Sequence, residues 1–334
     1  MFLWIVKRGV GMREPIGSST LLIIRSVSKV ALLTSMLAFA SNAGGDKLTT
    51  IMAPGGLIDV FTAQEEGAAA REDLTGWVNA ASKSVATYFG RYPVPHVAVQ
   101  ITTSEGRGVH NGRTFASPVA LITISVGRKT TLADLKADWT MTHEMVHLAF
   151  PSVAERHHWI EEGTATYVEP IARVQSGILE PSKMWSDLIR DLPQGLPREG
   201  DGGLDRTHTW GRTYWGGALF CLLADVEIHQ RTHNQKGLED ALRGILAAGG
   251  NITEDWPLKR ALRVGDGATG TRVLENLYEE MKDKPITVDL TSMWKELGIQ
   301  RSQNGGISFN DDAPLASVRK SITAIPDSRQ ASPQ

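Results

Sequence analysis

Apolar residues recur at helical spacing from Ala63 to Phe89, with Leu74, Trp77, Val78, Ala81 and Val85 about one turn apart. Tyr92-Pro93-Val94-Pro95 ends that run. The pattern then changes period. In His96–Thr102, Val97, Val99 and Ile101 alternate with small or polar residues, which predicts a half-buried strand, and Pro118–Val126 predicts a second. A Gly-rich segment with Glu105, Gly106, Gly108 and Gly112 lies between them and predicts a loop. After Gly127 the spacing is helical almost throughout. Leu132 to Phe150 predicts one helix, opened by Thr131 with Asp134 three residues on and followed by Pro151. Trp159 to Gln175 predicts another. A Pro- and Gly-rich loop, Asp191 to Thr209, leads to a long apolar helix from Thr213 to about Arg231. Shorter helices are expected over Gly237–Ala248, Glu254–Arg263, Thr271–Lys282 and Asp289–Leu297. A last one is expected after Asp312, with Pro314 in its first turn and Leu315, Val318 and Ile322 facing inward. Strands early and helices late predict an α+β fold.

The first 43 residues predict a targeting segment. Arg25 and Lys29 precede an apolar run from Val30 to Ala40, and Ala38-Phe39-Ala40 and Ser41-Asn42-Ala43 both suit cleavage between small residues. The run is well short of the ~20 residues that span a bilayer. No Cys follows it, so a lipid anchor is not expected. The stretch before the run is long for a signal peptide, and Met12 is an alternative start. The expected organisation is therefore a signal peptide over 1–43, strands with the first helices over 44–175, a helical part over 176–322 and a flexible tail over 323–334. The product would be exported, periplasmic or secreted, with no stable membrane span after processing.

Composition narrows the chemistry. The 334 residues are 41% apolar and 22% charged, enough for a large folded core and unlike a disordered or disulfide-stapled chain. With 35 Lys+Arg against 37 Asp+Glu the net charge is −2, so no basic excess points to nucleic acid. Without residues 1–43, which carry Lys7, Arg8, Arg13, Arg25, Lys29 and Glu14, it becomes −6. Cys221 is the sole cysteine and reads as a small buried hydrophobe.

The most informative segment is Thr142-His143-Glu144-Met145-Val146-His147. Histidines four apart on a helix share a face and can reach one cation, while the intervening Glu144 can contact a water there without ligating. That is the HExxH arrangement of two zinc ligands and a general base. A catalytic zinc takes a third protein ligand, and Glu161 and Glu162, opening the second helix, are the candidates.

HExxH followed by Trp159-Ile-Glu-Glu-Gly-Thr-Ala-Thr-Tyr167 resembles the gluzincin metallopeptidases, in which the glutamate before the glycine is the third ligand; the resemblance assigns that role to Glu162. Tyr214-Trp215-Gly216-Gly217-Ala218-Leu219, running on to Asp225-Val226-Glu227, is similar to a helix of the glycyl-aminopeptidase-like gluzincins. In them, and in the aminopeptidase N family, that tyrosine stabilises the oxyanion. The resemblance thus implies a zinc-dependent metallopeptidase with one Zn2+ held by His143, His147 and Glu162, Glu144 as base, Tyr214 as oxyanion donor and a peptide or protein as substrate. It implies a thermolysin-like catalytic domain, with a small, mostly antiparallel sheet above the active-site helix and a helical bundle after it. It also implies that an edge strand, Val119–Val126, pairs with an extended substrate. The family's lysine is Gly216 here, and no G-x-M-E-N segment is present, so exopeptidase specificity does not carry over. Two other readings fit the motifs: a catalytically silent zincin-fold binding module, or a zinc hydrolase of a non-peptide amide or ester.

Other polar residues read more plainly. His229 and His233 are four apart at a helix end, with no base between them, and are expected on the surface. His157 and His158 are expected in the entry loop of the second helix, His208 in a loop as a fallback oxyanion donor, Thr166 near the metal, and Trp159 in packing.

Overall fold

The computed structural model describes residues 47–62, 69–116, 119–301 and 306–325; the expected signal peptide and most of the expected tail lie outside them. The fold is α+β. Strands β1 (Lys47–Ala53) and β2 (Gly56–Thr62) form a hairpin, helix α1 (Arg71–Phe89) follows, and β3 (His96–Ser104), β4 (Val109–Phe115) and β5 (Leu121–Gly127) complete a sheet of order β1-β2-β3-β5-β4. Ile58, Val60, Val97, Val99, Ile101, Ile122, Ile124 and Val126 are buried in it, as are Leu74, Trp77, Val78, Ala81 and Val85 of α1. Burial of these two apolar faces is the main drive for this half of the fold.

Two expectations about the sheet are corrected. It is mixed rather than mostly antiparallel: β2/β3 and β3/β5 are parallel, β1/β2 and β4/β5 antiparallel. The expected edge strand Val119–Val126 is β5, which is paired on both sides; the edges are β1 and β4, the latter inside the segment expected to be a loop. An edge strand with little apolar alternation gives no period-2 signal. β4 also carries a bulge between His110 and Arg113, with Asn111 at φ 54°. β1 and β2 were not legible either, because Leu48 and Met52 face solvent at 47% and 83% exposure.

The helix expected over Leu132–Phe150 is two, α2 (Leu132–Ala137) and α3 (Thr140–His147). The capping box forms as expected, Thr131 accepting from the Asp134 amide and Asp134 from the Thr131 amide. The chain breaks at Asp138, whose extended backbone lets its carboxylate accept from the Met141 amide at 3.1 Å and from Trp77 Nε1 at 3.2 Å. An aspartate that caps the next turn competes with helix continuation, and here it also ties the break to α1.

Helix α4 (His158–Gln175) packs against α6 (Gly217–Arg231), with α5 (Pro181–Asp191) between them in sequence where no element was expected. The crossing is backbone on backbone. A Cβ on Gly163 would fall 2.8 Å from the Ala218 amide nitrogen and closer still to the Gly217 main chain. A Cβ on Gly217 would fall 2.7 Å from Gly163 Cα. Only glycines at both positions permit this approach. Helix α6 is buried on nearly all sides, from Ala218 to Ile228 with Cys221 among them, and is entered through a widened π-helical turn, Gly211–Gly216.

The chain continues through α7 (Leu238–Ala247), α8 (Leu258–Thr269), α9 (Val273–Met281) and α10 (Leu290–Glu296), a hairpin of β6 (Ile299–Arg301) and β7 (Ile307–Phe309), and α11 (Ala316–Thr323). The hairpin was not expected, and α11 begins after Pro314 rather than containing it. His229 is corrected from surface to interior: it is 7% exposed and lies 3.4 Å from the carboxylate of Asp225, one turn back. No helix of the described residues is long and apolar enough to cross a membrane.

Candidate metal centre

Helix α3 presents His143 and His147 from one face, their ring centroids 4.9 Å apart. The second turn of α4 brings Glu162 to them: its Oε2 lies 3.3 Å from His143 Nε2 and 3.5 Å from His147 Nε2. Zinc bonds of about 2.0–2.2 Å at tetrahedral angles require ligand–ligand edges of about 3.3–3.5 Å. Both edges to Glu162 match such an ion, and the three donor atoms all lie within 4.8 Å of one another. Among the described residues this is the group of His, Cys, Asp and Glu side chains close enough to hold a metal. Burial opposes a charge on His147, but the Glu162 carboxylate outweighs it and pushes the imidazole up to about 9. Burial likewise opposes ionisation of Glu162, and the histidines around it hold its carboxyl far below the usual range. A cation between these groups would replace that proton.

Glu161 does not share this role. Its carboxylate accepts from the Val153 amide at 3.1 Å and meets His158 Nδ1 at 2.9 Å, which fixes the start of α4. His158, expected in a loop, is the first residue of α4, and its Nε2 lies 3.2 Å from Glu162 Oε1. Hydrogen bonds to Glu161 and Glu162 push its imidazole up to about 10. It thus holds the Glu162 oxygen that points away from the two histidines. Its position four residues before Glu162 was the available signal. His157 instead pairs with Asp205 at 2.8 Å, a carboxylate that also accepts from Trp159 and Tyr278.

Glu144 is buried beside the histidines at 7% exposure. Edge strand β4 crosses it: Thr114 Oγ1 lies 2.7 Å from Glu144 Oε2 and 2.9 Å from the Glu144 carbonyl. Nothing in the sequence singled out Thr114. Tyr214, on the widened turn before α6, stacks on His143 with centroids 6.3 Å apart and planes 15° from parallel. Burial, then the Glu162 and Glu144 carboxylates, push its phenol above the ordinary value, so it stays a protonated donor near neutral pH. Two exposed tryptophans flank this pair. Trp139 meets His143 edge-on at 5.4 Å and Trp210 stacks on Tyr214 at 5.7 Å, at 52% and 59% exposure. His208 is exposed on the preceding loop, and the buried Thr166 hydroxyl makes no hydrogen bond to the cluster.

No family model matches the chain, and no curated protein matches it. Solved structures do. The aminopeptidase N family protein from Idiomarina loihiensis superposes with a TM-score of 0.56 at 13% identity, over 79% of this chain and 52% of that one. The M1 zinc metallopeptidase from Deinococcus radiodurans gives a TM-score of 0.49 at 14% identity, over 74% and 53%. The chain spans about half the length of these structures. The resemblance to gluzincin metallopeptidases is thus one of fold as well as of motif, and the chain adopts the fold seen in the aminopeptidase N family protein.

Proposed function

We propose that the protein is a zinc-dependent metallopeptidase with a thermolysin-like catalytic arrangement, in which His143, His147 and Glu162 hold one zinc ion and Glu144 is the general base. The observation that carries this reading is the donor triangle, whose 3.3 and 3.5 Å edges suit a tetrahedral ion while Glu144 and Tyr214 border it. Bound zinc supplies Lewis acidity and lowers the pKa of its water to about 7. Glu144 takes the proton of the attacking water and passes it to the leaving amine. Tyr214, a protonated phenol whose ring stacks on His143, donates to the oxygen that gains charge as the carbonyl is attacked. His158 holds the second oxygen of Glu162, which would leave the other oxygen to the ion. The substrate is a peptide or protein segment, which binds extended along the outer edge of β4. We further propose that the protein acts outside the cytoplasm after loss of residues 1–43.

Hydrolysis of a mixed peptide library by zinc-loaded protein, with and without chelator, tests the reading. Chelator-sensitive cleavage that disappears in Glu144→Gln at unchanged zinc content supports it. Zinc without cleavage of any peptide contradicts it and leaves a binding module or a non-peptide hydrolase.

A further inference from the structure

We infer that strand β4 is a positioning element for the general base: the Thr114 hydroxyl holds one oxygen of Glu144 and the bare Cα of Gly112 leaves the slot for the other. This rests on the proposed role of Glu144. A glutamate side chain has three rotatable bonds; helix α3 restricts the first and leaves the carboxylate free to turn. Its orientation must come from a neighbour.

The neighbour is the edge strand. Alternation along a strand puts Gly112 and Thr114 on one face and Arg113 and Phe115 on the other; the first two are half-buried and the second two exposed. The bulge before Arg113 sets this phase, and pairing of Thr114 with Ile122 of β5 locks it. The Thr114 hydroxyl has one hydrogen and two acceptors on the same residue. The Oε2 contact is the shorter, 2.7 against 2.9 Å, and its acceptor is charged, so the hydrogen goes to the carboxylate. The other oxygen, Oε1, lies over Gly112. A Cβ there would come within 2.7 Å of Oε1, 3.0 Å of Glu144 Cγ and 2.7 Å of Thr140 Cγ2. Oε2 is thus held by the Thr114 hydroxyl and Oε1 is placed by the slot over Gly112. β4, an edge strand of the sheet, is therefore also the strand that aims the base, and a substrate lying along it would share a rigid frame with Glu144.

Three variants test this. Thr114→Val keeps the shape and removes the donor; Thr114→Ser keeps the donor; Gly112→Ala fills the slot. Thr114→Val and Gly112→Ala should lower kcat at least tenfold with KM within twofold of the parent and zinc content unchanged. Thr114→Ser should stay within threefold of the parent kcat. A crystal structure of Thr114→Val should show the Glu144 carboxylate rotated from its place over Gly112. If Thr114→Val does not fold, Thr114→Ala carries the same expectation. Parent-like kcat in Thr114→Val, an equal loss in Thr114→Ser, or an unmoved carboxylate would overturn the inference. Failure of the parent to cleave peptides would overturn the proposed function, while the carboxylate's orientation in the crystal would still report on Thr114.

Discussion

Replacing Gly163 by alanine tests how the metal centre is assembled. Gly163 follows the proposed ligand Glu162, and its Cα packs on Gly217, three residues after Tyr214. An added Cβ would stand 2.8 Å from the Ala218 nitrogen, whereas ordinary contacts lie at 3.4–4 Å. Main chain faces main chain, so no rotamer relieves the overlap and the helices must part. Overpacking costs about 1–3 kcal/mol, and this contact belongs at the upper end. The better helix propensity of alanine offsets about 1 kcal/mol, leaving a net loss of about 2 kcal/mol. At roughly 2–4 °C per kcal/mol, the Tm of the chelated protein should fall by about 4–8 °C. Parting α4 from α6 also moves Glu162 relative to Tyr214, so zinc affinity and kcat should fall together. Gly76→Ala is the control. That glycine lies in α1 with nothing within 4 Å of an added Cβ, and the change should stabilise by up to about 1 kcal/mol. The assay is thermal unfolding by circular dichroism, paired with zinc titration. A Gly163→Ala protein that melts with the parent and binds zinc equally well would refute the idea that this glycine pair sets the helix spacing.

Tyr214→Phe should lower kcat about 100- to 1,000-fold, the effect of losing one oxyanion donor, with zinc retained and KM little changed; steady-state kinetics on a cleaved peptide checks it. Removing zinc should lower stability, because the ion binds only the assembled donors: at 100–1,000 times its Kd it adds about 2.7–4.1 kcal/mol, read as the Tm difference between loaded and chelated protein. Burial pushes Glu239 from 4.5 up to about 7. Its folded value lies above its unfolded one, so the stability gained by holding its proton is full below about pH 4.5 and is lost as pH rises through about 7. At 1.36 kcal/mol per unit that loss is at most about 3–4 kcal/mol. In chelated protein, Glu239→Gln should flatten the fall of Tm between pH 4.5 and 7, and a variant with the parent's pH dependence would contradict this.

The candidate metal donors could be picked out because two local periodicities carry them. His143 and His147 are four apart on a helix, and the Glu-Gly pair opens the next helix at a place only glycine can pack. What was not legible depends on partners remote in sequence. Thr114 reaches Glu144 from a strand without apolar alternation, 30 residues away. The break at Asp138 depends on Trp77, 61 residues earlier. His229 carries a surface-like helix-end pattern yet is buried against Asp225, whose carboxylate also takes the Tyr167 hydroxyl and the Leu238 amide. The apolar alternation of β3 and β5 showed that a sheet exists. Its parallel pairings arise because α1 separates β2 from β3 and because β4 follows β3 in sequence but lies outside β5 in the sheet, and periodicity alone does not encode that.

The central claim is that His143, His147 and Glu162 together hold a catalytic zinc ion. Zinc stoichiometry by plasma mass spectrometry, in the parent and in Glu162→Gln after dialysis against micromolar zinc, tests it most directly. The account predicts about one zinc per chain in the parent and a large loss in the variant. A parent that retains no zinc, or a variant that holds it as firmly as the parent, would contradict it.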